Sequence, residues 1–150
     1  MWIVEDTRQQ AGKHKKKHEW WTSNGDNIIR CKLPFGDYAL PPTVAVDTKA
    51  NLTEIATNMC GPFHERRRFT DECKYAHECG CRLVFLIEST VKDIDDLYDM
   101  QIVLGNGREI KGEQLALAIR TMTSRYGCEF MLVKPSKCAQ KINEILNGAE

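Results

Sequence analysis

The stretch LPFGDYALPPTVAVDTKA, residues 33–50, decides the fold. Pro41, Pro42 and Thr43 form a three-residue loop between two runs of alternating small and β-branched residues, which is the pattern of a β-hairpin. Counting outward from that loop pairs Leu40 with Val44, Ala39 with Ala45, Tyr38 with Val46 and Asp37 with Asp47. Side chains two apart on a strand share a face, so Lys49 stands on the side of Asp47. The hairpin therefore predicts two carboxylates and an ammonium at one place.

Directly opposed like charges destabilise a strand pair, because their β-carbons are only about 4.5–5.5 Å apart. A proton on one partner offsets the repulsion, and a divalent cation does so better. Two hard oxygen ligands with water completing the shell describe a magnesium site. Lys49 would then act beside the metal. The competing explanation is a structural ion-pair network, which perturbs carboxylates in the same way.

The remainder of the chain is compatible with such a site. A length of 150 residues predicts a single domain, 1–150, with a real core. Hydrophobic residues make up 42% and charged residues 28%, which excludes a disordered chain. No apolar run reaches the length of a membrane span, and MWIVEDTRQQ places Glu5 and Asp6 where a signal peptide has a basic leader. A cytoplasmic location without membrane partners is the expectation.

The cysteines at 31, 60, 73, 79, 81, 128 and 138 are odd in number and lack paired CxxC spacing, so reduced, packed thiols are expected. His77, Cys79 and Cys81, with Cys73 and His64 upstream, admit a zinc reading. A helix end followed by a strand explains the same residues better, since structural zinc sites draw on separated knuckles. His14 and His18 lie one helical turn apart, but HKKKH lacks the glutamate of a zinc-protease HExxH, and a solvated basic helix explains it.

The formal net charge is zero, so no global field draws the chain to nucleic acid, yet the charges are unevenly spread. Lys13, Lys15, Lys16 and Lys17 cluster before Trp20 and Trp21, and Arg66, Arg67 and Arg68 before Phe69; Glu88 to Asp99 is acidic. Either basic cluster can contact phosphates, although such a cluster alone is more often a wet surface.

The element pattern follows from periodicity. WIVED reads as a buried strand, the segment to Trp21 as loop or helix, and NIIRCKL, GDYAL and TVAVDTK as three successive strands. Asn51 caps a helix with Glu54 at its third position, and Gly61-Pro62 closes it. Phe69, Cys73 and Ala76 repeat at helical spacing, RLVFLIE is a central strand, and Leu115, Ala118, Ile119, Met122 and Tyr126 mark a helix ended by Gly127. CEFMLV is another strand, and Ala139, Ile142 and Leu146 a closing helix. The resulting class is α/β, a mixed central sheet flanked by helices.

These residues, in this order, resemble a known family. Asp6-Thr7-Arg8, Gly36-Asp37-Tyr38, Asp47-Thr48-Lys49, His64 through Phe69, and LVFLIE ending at Glu88 are similar to the XPF/Hef-type nuclease domain of the PD-(D/E)XK superfamily. Its signature is D-x-R-E at a strand end, then G-D, then E-R-K before a helix; D-T-K resembles the short bacterial and phage-borne members. The resemblance covers nearly the whole chain and implies a restriction-endonuclease-like fold. Two departures stand out: Gln9 occupies the place of the usual glutamate, and Thr48 that of arginine in eukaryotic members.

The resemblance implies a metal-dependent DNA endonuclease selective for branched, flap or junction DNA, at work in repair, recombination or phage replication. Asp37 and Asp47 would bind Mg2+, with Mn2+ able to substitute, and Thr48 would lend its backbone carbonyl. Lys49 would stand near the attacking water, with Asp6 lining the same cleft as a further catalytic group. Arg8, Lys15, Lys16, Lys17, His64, Arg67 and Arg68 are the candidate DNA contacts. Implied partners are DNA, a second copy of the chain, and a helicase or replication protein. The alternative is a catalytically silent DNA-binding or partner-interaction domain of the same fold; Gln9 favours it, and retention of both aspartates and the lysine opposes it.

Overall fold

The computed structural model describes residues 2–40, 44–78 and 80–148. In chain order the main elements are β1 (Trp2–Asp6), α1 (Lys15–Ser23), β2 (Asn27–Cys31), β3 (Tyr38–Leu40), β4 (Val44–Lys49), α2 (Leu52–Cys60) and α3 (Phe63–Glu78). They continue as β5 (Arg82–Glu88), β6 (Gln101–Val103), β7 (Glu109–Lys111), α4 (Gly112–Tyr126), β8 (Glu129–Val133) and α5 (Cys138–Leu146).

A mixed six-stranded sheet runs in the order β2-β1-β3-β4-β5-β8. The β3–β4 pair is antiparallel and β3 also pairs antiparallel with β1, whereas β4, β5 and β8 are mutually parallel, as are β1 and β2. Parallel neighbours need crossovers, and α1 between β1 and β2, α2 with α3 between β4 and β5, and α4 between β5 and β8 provide them.

Alternation along the central strands divides the core in two. Leu83, Phe85 and Ile87 of β5 join Ile55, Phe69, Cys73, Leu115 and Ile119 beneath α2, α3 and α4. Val84 and Leu86 point the other way, to Trp21 of α1 and to Ile142, Ile145 and Leu146 of α5. RLVFLIE is continuously apolar because both of its faces are covered. Burying each such side chain contributes roughly 1.5–3 kcal/mol.

The hairpin register agrees with the sequence for Tyr38–Val46, Ala39–Ala45 and Leu40–Val44; its loop, residues 41–43, lies outside the described residues. Asp37 requires a correction. It is not a strand residue opposed to Asp47, because β3 begins only at Tyr38. Gly36 takes a left-handed φ of 75° and swings the chain into the strand, leaving Asp37 in the turn. The segment leading to Trp21 divides, with residues 7–14 in a turn-rich loop and Lys15–Ser23 forming helix α1. Trp21 and Tyr38 are fully buried and meet edge to face at 5.2 Å, so they serve the core.

The β6–β7 hairpin leaves no mark in the sequence periodicity. Each strand has three residues and only one, Ile102 or Ile110, turned inward, which is too short a pattern for periodicity to register. Gly112 begins α4 against this hairpin, where a β-carbon would stand 1.7 Å from the Leu97 carbonyl oxygen.

Candidate active site

The site lies where β4 runs out of the sheet under α3. Position 46 faces the α1–α5 side, so Asp47 and Lys49 face the α2–α3 side, and they meet there: Lys49 Nζ is 2.8 Å from Asp47 Oδ1. Both residues are buried. Lys49 also lies over the Phe85 ring, 5.7 Å from its centroid. Immediately after β4, Asn51 Oδ1 accepts the Glu54 amide at 2.8 Å while Glu54 Oε2 accepts the Ala50 amide at 2.7 Å. This pair of side-chain to backbone bonds caps α2 and ends the strand sharply just after Lys49.

Asp37 reaches the same cavity from the turn. Its Oδ2 accepts hydrogen bonds from the Thr48 amide at 2.6 Å and the Thr48 hydroxyl at 2.9 Å. Thr48 thus orients one aspartate while its neighbours on β4 supply the other aspartate and the lysine. The two carboxylates line one cavity of about 500 Å3 together with Lys49, Arg8, Asn58 and Glu72.

Burial, followed by the charge of Asp47, pushes the Asp37 carboxyl up to about 7, against the opposing bonds from Thr48. Burial likewise raises Asp47 to about 7, with Lys49 acting the other way and Glu72 reinforcing the rise. Burial acts to lower Lys49, and Asp47 outweighs it, so the ammonium is held above its ordinary range. The cavity gathers four carboxyl groups, Asp37, Asp47, Asp71 and Glu72, against Lys49, Arg8 and Arg68, and the two arginines are held by Asp6 and Glu65. Asp47 Oδ1, although close to Lys49, receives no well-directed hydrogen bond and is fully covered. Hard, under-compensated oxygens of this kind suit a divalent cation such as magnesium. Among the described residues no group of three or more His, Cys, Asp or Glu side chains has metal-holding geometry.

Glu72 and Asn58 belong to the cavity without any motif that announces them in the sequence. Glu72 Oε1 accepts the Gly36 amide at 2.8 Å, and its carboxyl is within hydrogen-bond reach of Asp47. The signal was present in principle: Glu72 sits three residues after Phe69 and four before Ala76, a polar residue on an otherwise apolar helix stripe. Asn58, from α2, donates to Glu65 at 3.2 Å and keeps a buried, unpartnered Oδ1.

The remaining candidates scatter. Asp6 is buried, and its carboxylate holds Arg8 through the Arg8 amide at 3.0 Å and the guanidinium; it does not line the cavity. Asp6 is thus placed as the support of Arg8, whose guanidinium also reaches the Leu33 carbonyl at 3.1 Å. Arg68 lines the cavity and pairs with Glu65 at 2.9 Å. Arg67 and His64 lie exposed on α3, beside Asp71 and Glu65 respectively. Lys15 is exposed and 3.8 Å from Glu19, and Lys16 is exposed as well. Lys17 turns inward to Glu88, 3.3 Å away, so the basic run does not present one uniform surface.

No helix among the described residues is long and apolar enough to cross a membrane. No protein-family model matches the chain. No curated protein matches it either. Solved structures do. XPF from Aeropyrum pernix superposes with a TM-score of 0.70 at 18% identity over 98% of this chain. The same protein in complex with DNA gives 0.68 at 16% identity over 97%. The chain spans 64% and 62% of those two structures, less than two thirds of their length. At such identity the likeness is one of fold: the mixed six-stranded sheet covered by helices on both faces matches the XPF nuclease-domain fold.

Proposed function

We propose that this chain is a divalent-metal-dependent DNA endonuclease, selective for branched, flap or junction DNA. The observation that carries the reading is the convergence of Asp37, Asp47 and Lys49 in one cavity, with both carboxyls pushed up to about 7 and a single buried lysine to balance them. The fold shared with XPF, one of whose structures holds DNA, supports the same reading. The structure-selective preference follows from the family resemblance of the motifs.

Asp37 and Asp47 would hold magnesium or manganese, with the Thr48 carbonyl as the expected further oxygen. Bound there, the cation supplies charge neutralisation for the phosphodiester and lowers the pKa of water from about 15.7 toward neutrality. The chain's own groups do the positioning. Thr48 fixes Asp37 through two hydrogen bonds, so that carboxylate needs no reorganisation as substrate arrives. Lys49, held at Asp47, stabilises negative charge developing on the phosphoryl oxygens and orients the water that attacks phosphorus in line. Arg8, clamped by Asp6, is set at the rim to hold the strand.

Purified protein incubated with labelled flap, fork, Holliday-junction and linear duplex DNA is expected to cut with magnesium and not with EDTA. Asp47→Ala should abolish cutting while leaving circular dichroism unchanged. DNA that is bound yet never cut, whatever divalent metal is supplied, establishes instead the silent DNA-binding domain.

A further inference from the structure

A second cavity, of about 360 Å3, opens on the other flank of Lys49. Lys49 and Arg8 line both cavities, so the two share a wall made of cations. The character of the linings differs. The first cavity is acidic, with Asp37, Asp47, Asp71 and Glu72. The second gathers Lys13, His14 and Lys17 around that shared wall, against Glu54 and Glu88.

Both acids of the second cavity are already engaged. Glu54 Oε2 accepts the Ala50 amide at 2.7 Å as part of the helix cap, and Glu88 Oε1 is 3.3 Å from Lys17. Of the cations that line it, Arg8 is held by Asp6, Lys49 by Asp47 and Lys17 by Glu88, while Lys13 has no ion-pair partner among the described residues and is the ammonium left without a counter-charge. Lys15, Lys16 and Lys17 fill the first turn of α1 without an acidic residue, opposing the helix dipole, and among the described residues only Lys15 and Lys17 of these have carboxylate partners, Glu19 and Glu88. An anion in the cavity offsets both costs. Four cations brought together from the loop after β1, from α1 and from β4 form a site for an oxyanion, and the open, polar walls suit phosphate rather than an apolar acid.

We infer that this cavity binds a second phosphate group of the nucleic-acid strand whose scissile phosphate lies at Lys49. The inference rests on the proposed nuclease reading for the identity of the strand. In it, Lys13 and His14 contact the phosphate, and the Lys17–Glu88 pair is the positioning element that holds α1 over the cavity.

The test reads binding in EDTA, without cleavage. A branched oligonucleotide is titrated by fluorescence anisotropy against the wild type and a Lys13→Gln, His14→Gln double variant, with a neutral methylphosphonate placed at each phosphate in turn. The variant is expected to lose about five- to tenfold in affinity and to reduce the salt slope by about 1. At one position only, the methylphosphonate should weaken the wild type by a similar factor and leave the variant unchanged. Oligonucleotides with and without terminal phosphates distinguish an internal diester from a terminal monoester as the source. Losses that multiply independently at every position, or a variant that binds like the wild type, overturn the inference. Metal-dependent cutting with no coupled position removes the subsite and leaves the nuclease; one coupled position in a chain that never cuts does the reverse.

Discussion

Asp37 shows how much chemistry one residue acquires from its surroundings. Its folded pKa of about 7 lies above the ordinary 3.8, as does that of Asp47, so the native state binds protons more tightly than the unfolded chain. Stabilisation from these groups is present below about pH 4 and is lost as pH rises through about 7. The melting temperature of metal-free protein should therefore fall between pH 5 and pH 8, and magnesium should restore it at pH 8. Asp37→Asn keeps an oxygen for the Thr48 amide while removing one repelling charge. We expect it to raise the metal-free melting temperature at pH 8 by about 2–4 °C, corresponding to about 1 kcal/mol, and to abolish the magnesium shift. Scanning fluorimetry across pH checks both effects, and a flat profile in the wild type would contradict the electrostatic picture.

At the level of elements, the turn from residue 33 to Asp37 and the strand β4 act as one device. Gly36 is required twice over: its φ of 75° is left-handed, and a β-carbon there would stand 3.1 Å from that of Ala45. Its amide also donates to Glu72, tying the turn to α3. Gly36→Ala should cost about 1–2 kcal/mol of stability from the backbone conformation alone. It should also weaken magnesium binding at least tenfold by displacing Asp37. Calorimetric titration against wild type measures the second effect, and unchanged affinity would show that the turn does not set the carboxylate. The same element explains why the site was partly legible. The hairpin count placed Asp47 and Lys49 correctly because period-two alternation is rigid, but it carried Asp37 one residue too far along the strand, since the turn at Gly36 interrupts the count.

Across the whole molecule, stability is concentrated in the strands that are covered on both faces. β5 has five consecutive buried residues, whereas β2, at the sheet edge, is mostly exposed. The site hangs from β4, the neighbour of β5, so its most demanding residues sit on the most rigid part of the fold. Hydrogen exchange followed by mass spectrometry should find the amides of Leu83–Ile87 opening only with global unfolding, and those of Asn27–Cys31 and the β6–β7 hairpin opening at much lower free energy. Fast exchange in β5 would mean that the sheet is not the scaffold of the site.

The amino-acid order alone determined the strands of the main sheet and most of the helices, though not the β6–β7 hairpin, together with the two-sided burial of RLVFLIE, the capping of α2 by Asn51 and the pairing of Asp47 with Lys49, because each depends on contacts a few residues apart or on a fixed strand period. Tertiary structure decided what no local pattern encodes. It delivered Glu72 and Asn58 from separate helices to the cavity and drew Lys17 inward to Glu88, 71 residues away. These are long-range placements set by how helices pack on the sheet, and side chains brought together in that way leave no periodic trace in the sequence.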